Sequence, residues 1–158
     1  MATTARNEQL AQRLALAIPA LLLAGAYVSQ YGFGLYPCEM CWWQRWPHFA
    51  AVALAGLSFV IAPRRVWIAL AAGGILTSGL IGVFHAGVEY GLWPGLTHCA
   101  LPVTAGADPL AAVLAQPMTR CDEAAWTLLG ISLAGFNALF SVGGAAAIFS
   151  LLLRKARA

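Results

Sequence analysis

Val66-Trp67-Ile68-Ala69-Leu70-Ala71-Ala72-Gly73-Gly74-Ile75-Leu76-Thr77-Ser78-Gly79-Leu80-Ile81-Gly82-Val83-Phe84-His85-Ala86-Gly87-Val88 runs without a charged side chain. A helix rises about 1.5 Å per residue, so a run of this length matches a hydrocarbon layer of roughly 30 Å. Inside lipid every backbone N–H and C=O must be paired within the chain, which makes a helix the expected form. Gly74, Ser78 and Gly82 recur at four-residue spacing and mark a face where a second helix can approach closely. Three further uncharged runs accompany it: Leu14–Cys38, Trp46–Pro63 and Ala124–Leu153. The four runs predict an all-α membrane four-helix bundle in a single domain. The expected spans are about 14–30, 46–62, 66–86 and 125–153, and the outer loops about 31–45 and 87–124.

The composition agrees with that reading. Of 158 residues, 61% are hydrophobic and only 9% charged, against about a quarter charged in soluble domains. A fifth uncharged stretch, Tyr90–Ala107, contains Gly91, Pro94, Gly95, Pro102 and Gly106, which break helices, and reads as loop. Within the second outer loop Asp108 can cap and Pro109 suits a first helical position. Leu110, Val113 and Leu114 then form an apolar stripe before Pro117, which predicts a short interfacial helix against membrane lipid.

Arg6, Arg13, Arg64, Arg65, Arg154, Lys155 and Arg157 fall on one side of the bundle, Arg45 and Arg120 on the other. The positive-inside rule places both termini in the cytoplasm. The net charge of +3 is thus a topology signal and indicates no nucleic-acid partner. The first span has features of a signal peptide, with Ala24-Gly25-Ala26 as a possible cleavage site. Cleavage would put the C-terminal charges on the wrong side, so an uncleaved anchor is expected. Trp42, Trp43 and Trp46, at the entry to span two, read as interface anchors. In span four Gly130, Ala134 and Ala138 form a second small-residue seam, and Asn137 suits an interhelical hydrogen bond.

All four cysteines, Cys38, Cys41, Cys99 and Cys121, fall on the outward side, where disulfides persist. Cys38-Glu39-Met40-Cys41 places two thiols at a helix start, where backbone amides favour thiolate. Arg45, four residues after Cys41, returns to the same helical face and favours a thiolate or a reduced anionic cofactor beside it. A redox dithiol is the functional reading. A structural disulfide or half of a metal site, completed by His98 and Cys99, stays open. Cys99 and Cys121 flank an exposed loop and suit exchange with a soluble partner. Arg120 favours thiolate at Cys121, and Asp122 opposes it. His48 and His85 lie near the outer surface, as proton-handling groups or, alternatively, haem ligands.

Tyr36-Pro37-Cys38-Glu39-Met40-Cys41-Trp42-Trp43-Gln44-Arg45 resembles the first outer loop of the disulfide-bond-formation protein B (DsbB) family. Cys121-Asp122-Glu123-Ala124-Ala125-Trp126-Thr127-Leu128-Leu129-Gly130 is similar to that family's entry to its fourth helix. The resemblance implies a bacterial inner-membrane enzyme with periplasmic redox loops. Such an enzyme reoxidises a periplasmic thioredoxin-fold dithiol oxidase of the DsbA type and passes the electrons to a quinone, ubiquinone or menaquinone. It implies Cys38, Cys41, Cys99 and Cys121 as catalytic, with Cys99 the sulfur attacked by the partner. It also implies Cys41, Arg45 and His85 around the quinone, and no metal. A four-helix thiol oxidoreductase of the vitamin K epoxide reductase type is a rival, though its C-x-x-C is expected late in the chain. A metal-binding or metal-transport protein is the rival from another class.

Overall fold

The computed structural model describes residues 2–96 and 120–154. Its helices are α1 (Ala2–Gly32), α2 (Glu39–Leu57), α3 (Arg64–Glu89) and α4 (Leu133–Leu153). A short antiparallel ribbon, β1 (Thr127–Leu128) with β2 (Ile131–Ser132), precedes α4. α3 packs most extensively, against α4 on one side and α2 on the other, and α1 closes the bundle against α4 and α2. Helices α1 (from Ala5), α3 and α4 are long and apolar enough to cross a membrane. α2 has 19 residues and carries Glu39, Gln44, Arg45 and His48 in its first half. The expected interfacial helix around 108–117 lies outside the described residues.

α2 starts at Glu39, in keeping with a helix start at the C-x-x-C, because Cys38 takes the N-cap position and its sulfur accepts the Cys41 backbone N–H at 3.3 Å. α4 starts at Leu133 rather than 125. Leu129 (φ 52°) and Gly130 (φ 78°) adopt the left-handed region in succession, closing a two-residue hairpin turn. Tyr90, just past α3, holds that turn. Its hydroxyl donates to the Gly130 carbonyl at 2.9 Å and accepts the Ser132 N–H at 3.0 Å. Ser132 then caps α4 by accepting the Gly135 N–H at 3.1 Å, and donates its hydroxyl to Glu89 at the end of α3.

Gly74 packs on α2, where a Cβ would stand 3.1 Å from the Pro47 carbonyl oxygen. Gly79 and Gly82 pack on α4; a Cβ on Gly79 would stand 2.9 Å from Ser141 Cβ and Val142 Cγ2. Lipid tails are as apolar as the side chains, so close van der Waals approach, not water exclusion, holds these helices. The expected seam on span four is displaced: Gly130 sits in the turn, while Ala134 and Ala138 face Gly82.

The interior is sorted along the bundle axis. Toward the α2–α3 connection it is mostly apolar, with Ala11, Ala15, Ala51, Ala55, Ile68, Ala71, Ala72, Ile75, Ala145 and Ile148 fully buried and one polar pair, Gln12 donating to Ser58 Oγ at 3.0 Å. At the opposite end Cys38, Met40, Val88 and Cys121 cluster, flanked by Cys41 and Phe84. Between these ends lies a polar layer from α2, α3 and α4. Asn137 Nδ2 donates to the Ser78 carbonyl at 3.1 Å and to Gln44 Oε1 at 2.8 Å, as the sequence suggested for Asn137.

Candidate active site

The buried face of α2 carries Met40, Gln44, His48, Ala51 and Ala55 at helical spacing, with Arg45 buried beside it, so three polar side chains are buried with the apolar ones. One turn from the C-x-x-C, this stripe sets the chemistry of the site.

Cys38 and Cys41 face each other with sulfurs 2.9 Å apart, as a dithiol. The Cys38 S–H donates to Cys41, which pushes the Cys38 thiol well up and holds the Cys41 thiol down. When the pair holds one proton, Cys38 therefore keeps it and Cys41 carries the charge. Burial opposes charge at both sulfurs. At Cys41, Glu89 opposes it further and Arg45 adds a smaller favourable field.

Arg45 is 6% exposed. Its Nη1 donates to Gln30 Oε1 at 2.7 Å and its Nη2 to the Ala26 carbonyl at 3.3 Å, both on α1. The guanidinium lies 5.0 Å from the ring centroids of both Tyr27 and Trp42. Among the described residues no carboxylate lies within ion-pair distance of it. A buried cation compensated only by neutral dipoles and π faces is an electrostatic receptor for negative charge. Trp42 thus serves as a platform for Arg45, whereas Trp43 and Trp46 are exposed as interface anchors would be.

A cavity of about 470 Å³ opens beside the dithiol. Its polar lining includes Cys38, Cys41, Gln44, Arg45, His48, His85 and Glu89, and its apolar lining Leu21, Trp126 and Phe136. The volume falls within the roughly 300–1,000 Å³ usual for small-molecule sites.

The structure brings together Cys38, Cys41, Arg45, His85 and Cys121. His85 Nε2 lies 3.6 Å from Cys38 Sγ and 3.7 Å from Glu89 Oε1. Cys121 is buried in the sulfur cluster against Cys38. Arg120 binds Asp122 at 2.7 and 3.0 Å and approaches Glu123 at 3.7 Å. Cys99 and His98 lie outside the described residues. Sequence reading missed Gln44, Gln30, Tyr27 and Glu89 as parts of the site. Only Gln44 carried a signal, its position on the Met40–Gln44–His48 stripe.

The fold and this site define a class: a helical membrane protein with a redox-competent dithiol buried at one end of its bundle. A family model described as "Disulfide bond formation protein DsbB" matches residues 8–151. Disulfide bond formation protein B 2 of Pseudomonas aeruginosa is 34% identical, over 87% of this chain and 82% of its own. Disulfide bond formation protein B of Verminephrobacter eiseniae is 28% identical, over 91% and 85%. An uncharacterized protein of Rickettsia prowazekii is 25% identical, over 80% and 77%. No solved structure matches at a significant level. The chain belongs to the DsbB family and is a multi-pass membrane protein of disulfide bond formation.

Proposed function

We propose that this protein is a thiol:quinone oxidoreductase of the bacterial inner membrane. It reoxidises a periplasmic thioredoxin-fold dithiol oxidase of the DsbA type through Cys99 and Cys121, and then through Cys38 and Cys41. One observation carries the reading: the Cys38–Cys41 dithiol and the buried Arg45 guanidinium, which has no carboxylate within ion-pair distance among the described residues, line the same cavity as the apolar side chains of Leu21, Trp126 and Phe136.

The residues present fit a quinone. A flat apolar ring with two carbonyl oxygens suits the Leu21–Trp126–Phe136 wall and the Arg45 donors. When bound, the quinone supplies an acceptor for two electrons and two protons. The remaining chemistry belongs to the chain. Closing the Cys38–Cys41 disulfide forms one S–S bond and releases two electrons and the two thiol protons. Both sulfurs border the cavity; Cys41 is the more readily ionised of the two, and Arg45 favours negative charge there. Cys38 retains its proton in the reduced state and faces Cys121, the member of the second pair described here. With both termini cytoplasmic, the dithiol end of the bundle faces the periplasm, where the partner resides.

The test is quinol formation by purified protein, with a reduced DsbA-type partner as donor and a short-chain ubiquinone as acceptor. Turnover is expected in the wild type and lost in Cys41→Ser and Cys99→Ser. Full turnover in Cys41→Ser would refute the proposal.

A metal centre is a second reading, because the ligand atoms of Cys38, Cys41 and His85 all lie within 4.8 Å of one another. It predicts one zinc ion per reduced chain, lost on His85→Leu substitution, and no thiol-dependent quinol formation.

A further inference from the structure

Two backbone carbonyls fix the polarity of a buried hydrogen-bond chain. The Met40 carbonyl can only accept, and Gln44 Nε2 donates to it at 3.2 Å. The Ser78 carbonyl can only accept, and Asn137 Nδ2 donates to it at 3.1 Å. Both amide orientations are therefore determined by chemistry. Gln44 Oε1 accepts from Asn137 Nδ2 at 2.8 Å, consistent with both assignments. Gln44 Nε2, a donor, faces His85 Nδ1 at 2.8 Å, so Nδ1 must be bare and the neutral ring carries its proton on Nε2. The surroundings of Nε2 agree: it faces the Cys38 sulfur at 3.6 Å and the Glu89 carboxylate at 3.7 Å.

We propose that Gln44 and Asn137 are positioning residues that lock His85 in the Nε2–H tautomer, so that it presents a hydrogen-bond donor to the Cys38 sulfur. Gln44 acts directly and Asn137 holds Gln44. The groups facing His85 are Cys38 and Gln44 from α2, Glu89 from α3 and Cys121 from the segment before α4; Cys41 lies one sulfur further on. A donated N–H favours charge on Cys38, the sulfur that must give up its proton when the dithiol closes. That consequence for electron transfer rests on the proposed thiol-oxidase function; the tautomer itself does not. The same lock denies a bare Nε2 to a metal, because a reversed ring would set Nδ1–H against the Gln44 N–H.

Two readouts test the proposal on the full-length protein in detergent. The first is the ¹⁵N spectrum of histidine-labelled, reduced protein, with His85 assigned by its loss in His85→Leu. Wild type is expected to show a neutral ring with Nε2 protonated and Nδ1 bare. Gln44→Met, which removes the donor and keeps the length, is expected to give a tautomer mixture. A wild-type ring protonated on Nδ1, or an unchanged pattern in Gln44→Met, overturns the lock.

The second is peptide-resolved alkylation of Cys38 in a Cys41→Ser background. Losing a donor to a thiolate shifts its titration by about one unit, roughly a tenfold change in thiolate fraction. His85→Leu is thus expected to slow alkylation at pH 7 about tenfold, and Gln44→Met, which leaves the donor in only part of the population, by about twofold. Gln44→Met is expected to have no further effect in a His85→Leu background, because Gln44 acts only through the ring. An equal slowing with and without His85 refutes positioning and leaves Gln44 a packing residue. Neither readout involves quinone, so failure of the proposed function and failure of the lock are separable.

Discussion

Replacing Arg45 with methionine keeps the length of the side chain and removes its charge and all five N–H donors. Two donors already serve Gln30 and Ala26, so three remain for the cavity. A hydrogen bond to a charged group contributes about 1.5–3 kcal/mol. At about 1.36 kcal/mol per decade, loss of one such bond to a bound carbonyl oxygen raises the quinone KM by roughly 10- to 150-fold. Lysine in the same place keeps a point charge but loses the planar fork between Tyr27 and Trp42, and is expected to fall between wild type and methionine. The assay is quinol formation at saturating thiol donor with the quinone varied. Cys38 alkylation in each variant serves as the control for a folded site. A KM for Arg45→Met within twofold of wild type, with that control intact, would refute the assignment of Arg45 to the cavity.

Other consequences follow from the same geometry. Cys41 is the lower-pKa thiol, so its alkylation by iodoacetamide should outpace that of Cys38 and persist below the usual thiol range of pH. Cys38→Ala removes the S–H donor, so the Cys41 titration should move up and its labelling at pH 7 should slow. Gly79→Val should destabilise the bundle by about 1–3 kcal/mol through overpacking against Ser141 and Val142, read as a lower melting temperature in detergent. Leu129 is 93% exposed with φ 52°, so Leu129→Gly should stabilise by about 1 kcal/mol by relieving left-handed strain, measured in the same melts.

The bundle was legible because membrane helices announce themselves by the absence of charge over a length that lipid dictates. Small residues at Gly74 and Gly82 likewise signalled close approach, and the structure uses both. The start of α4 was hidden for a local reason. A hairpin turn with Leu129 at its first left-handed position lacks the Asn-Gly or Asp-Gly signature, and Tyr90, 40 residues away, supplies the contact that holds it. The start of α2 at the C-x-x-C was readable, but the capping role of the Cys38 sulfur was not, because its sequence signature is that of redox chemistry. Of the site, Cys38, Cys41 and Arg45 were readable because one helical turn relates them. Tyr27 and Gln30 come from α1 and Glu89 from α3, and no spacing within one segment reports a contact between helices. The convergence of Cys121 on Cys38 is likewise a property of the fold.

The sorting of the interior, alanine and isoleucine at one end and sulfur and amides at the other, separates two kinds of mutational cost. Substitutions among Ala51, Ala55, Ile68 and Ile75 would change how much protein survives in the membrane while leaving each surviving molecule's redox poise intact. Substitutions among Gln44, His85 and Asn137 would alter the poise of molecules that still accumulate. A saturation screen scored for both abundance and turnover would therefore divide into two territories along the bundle axis. An engineer could raise durability from the first territory without retuning the second.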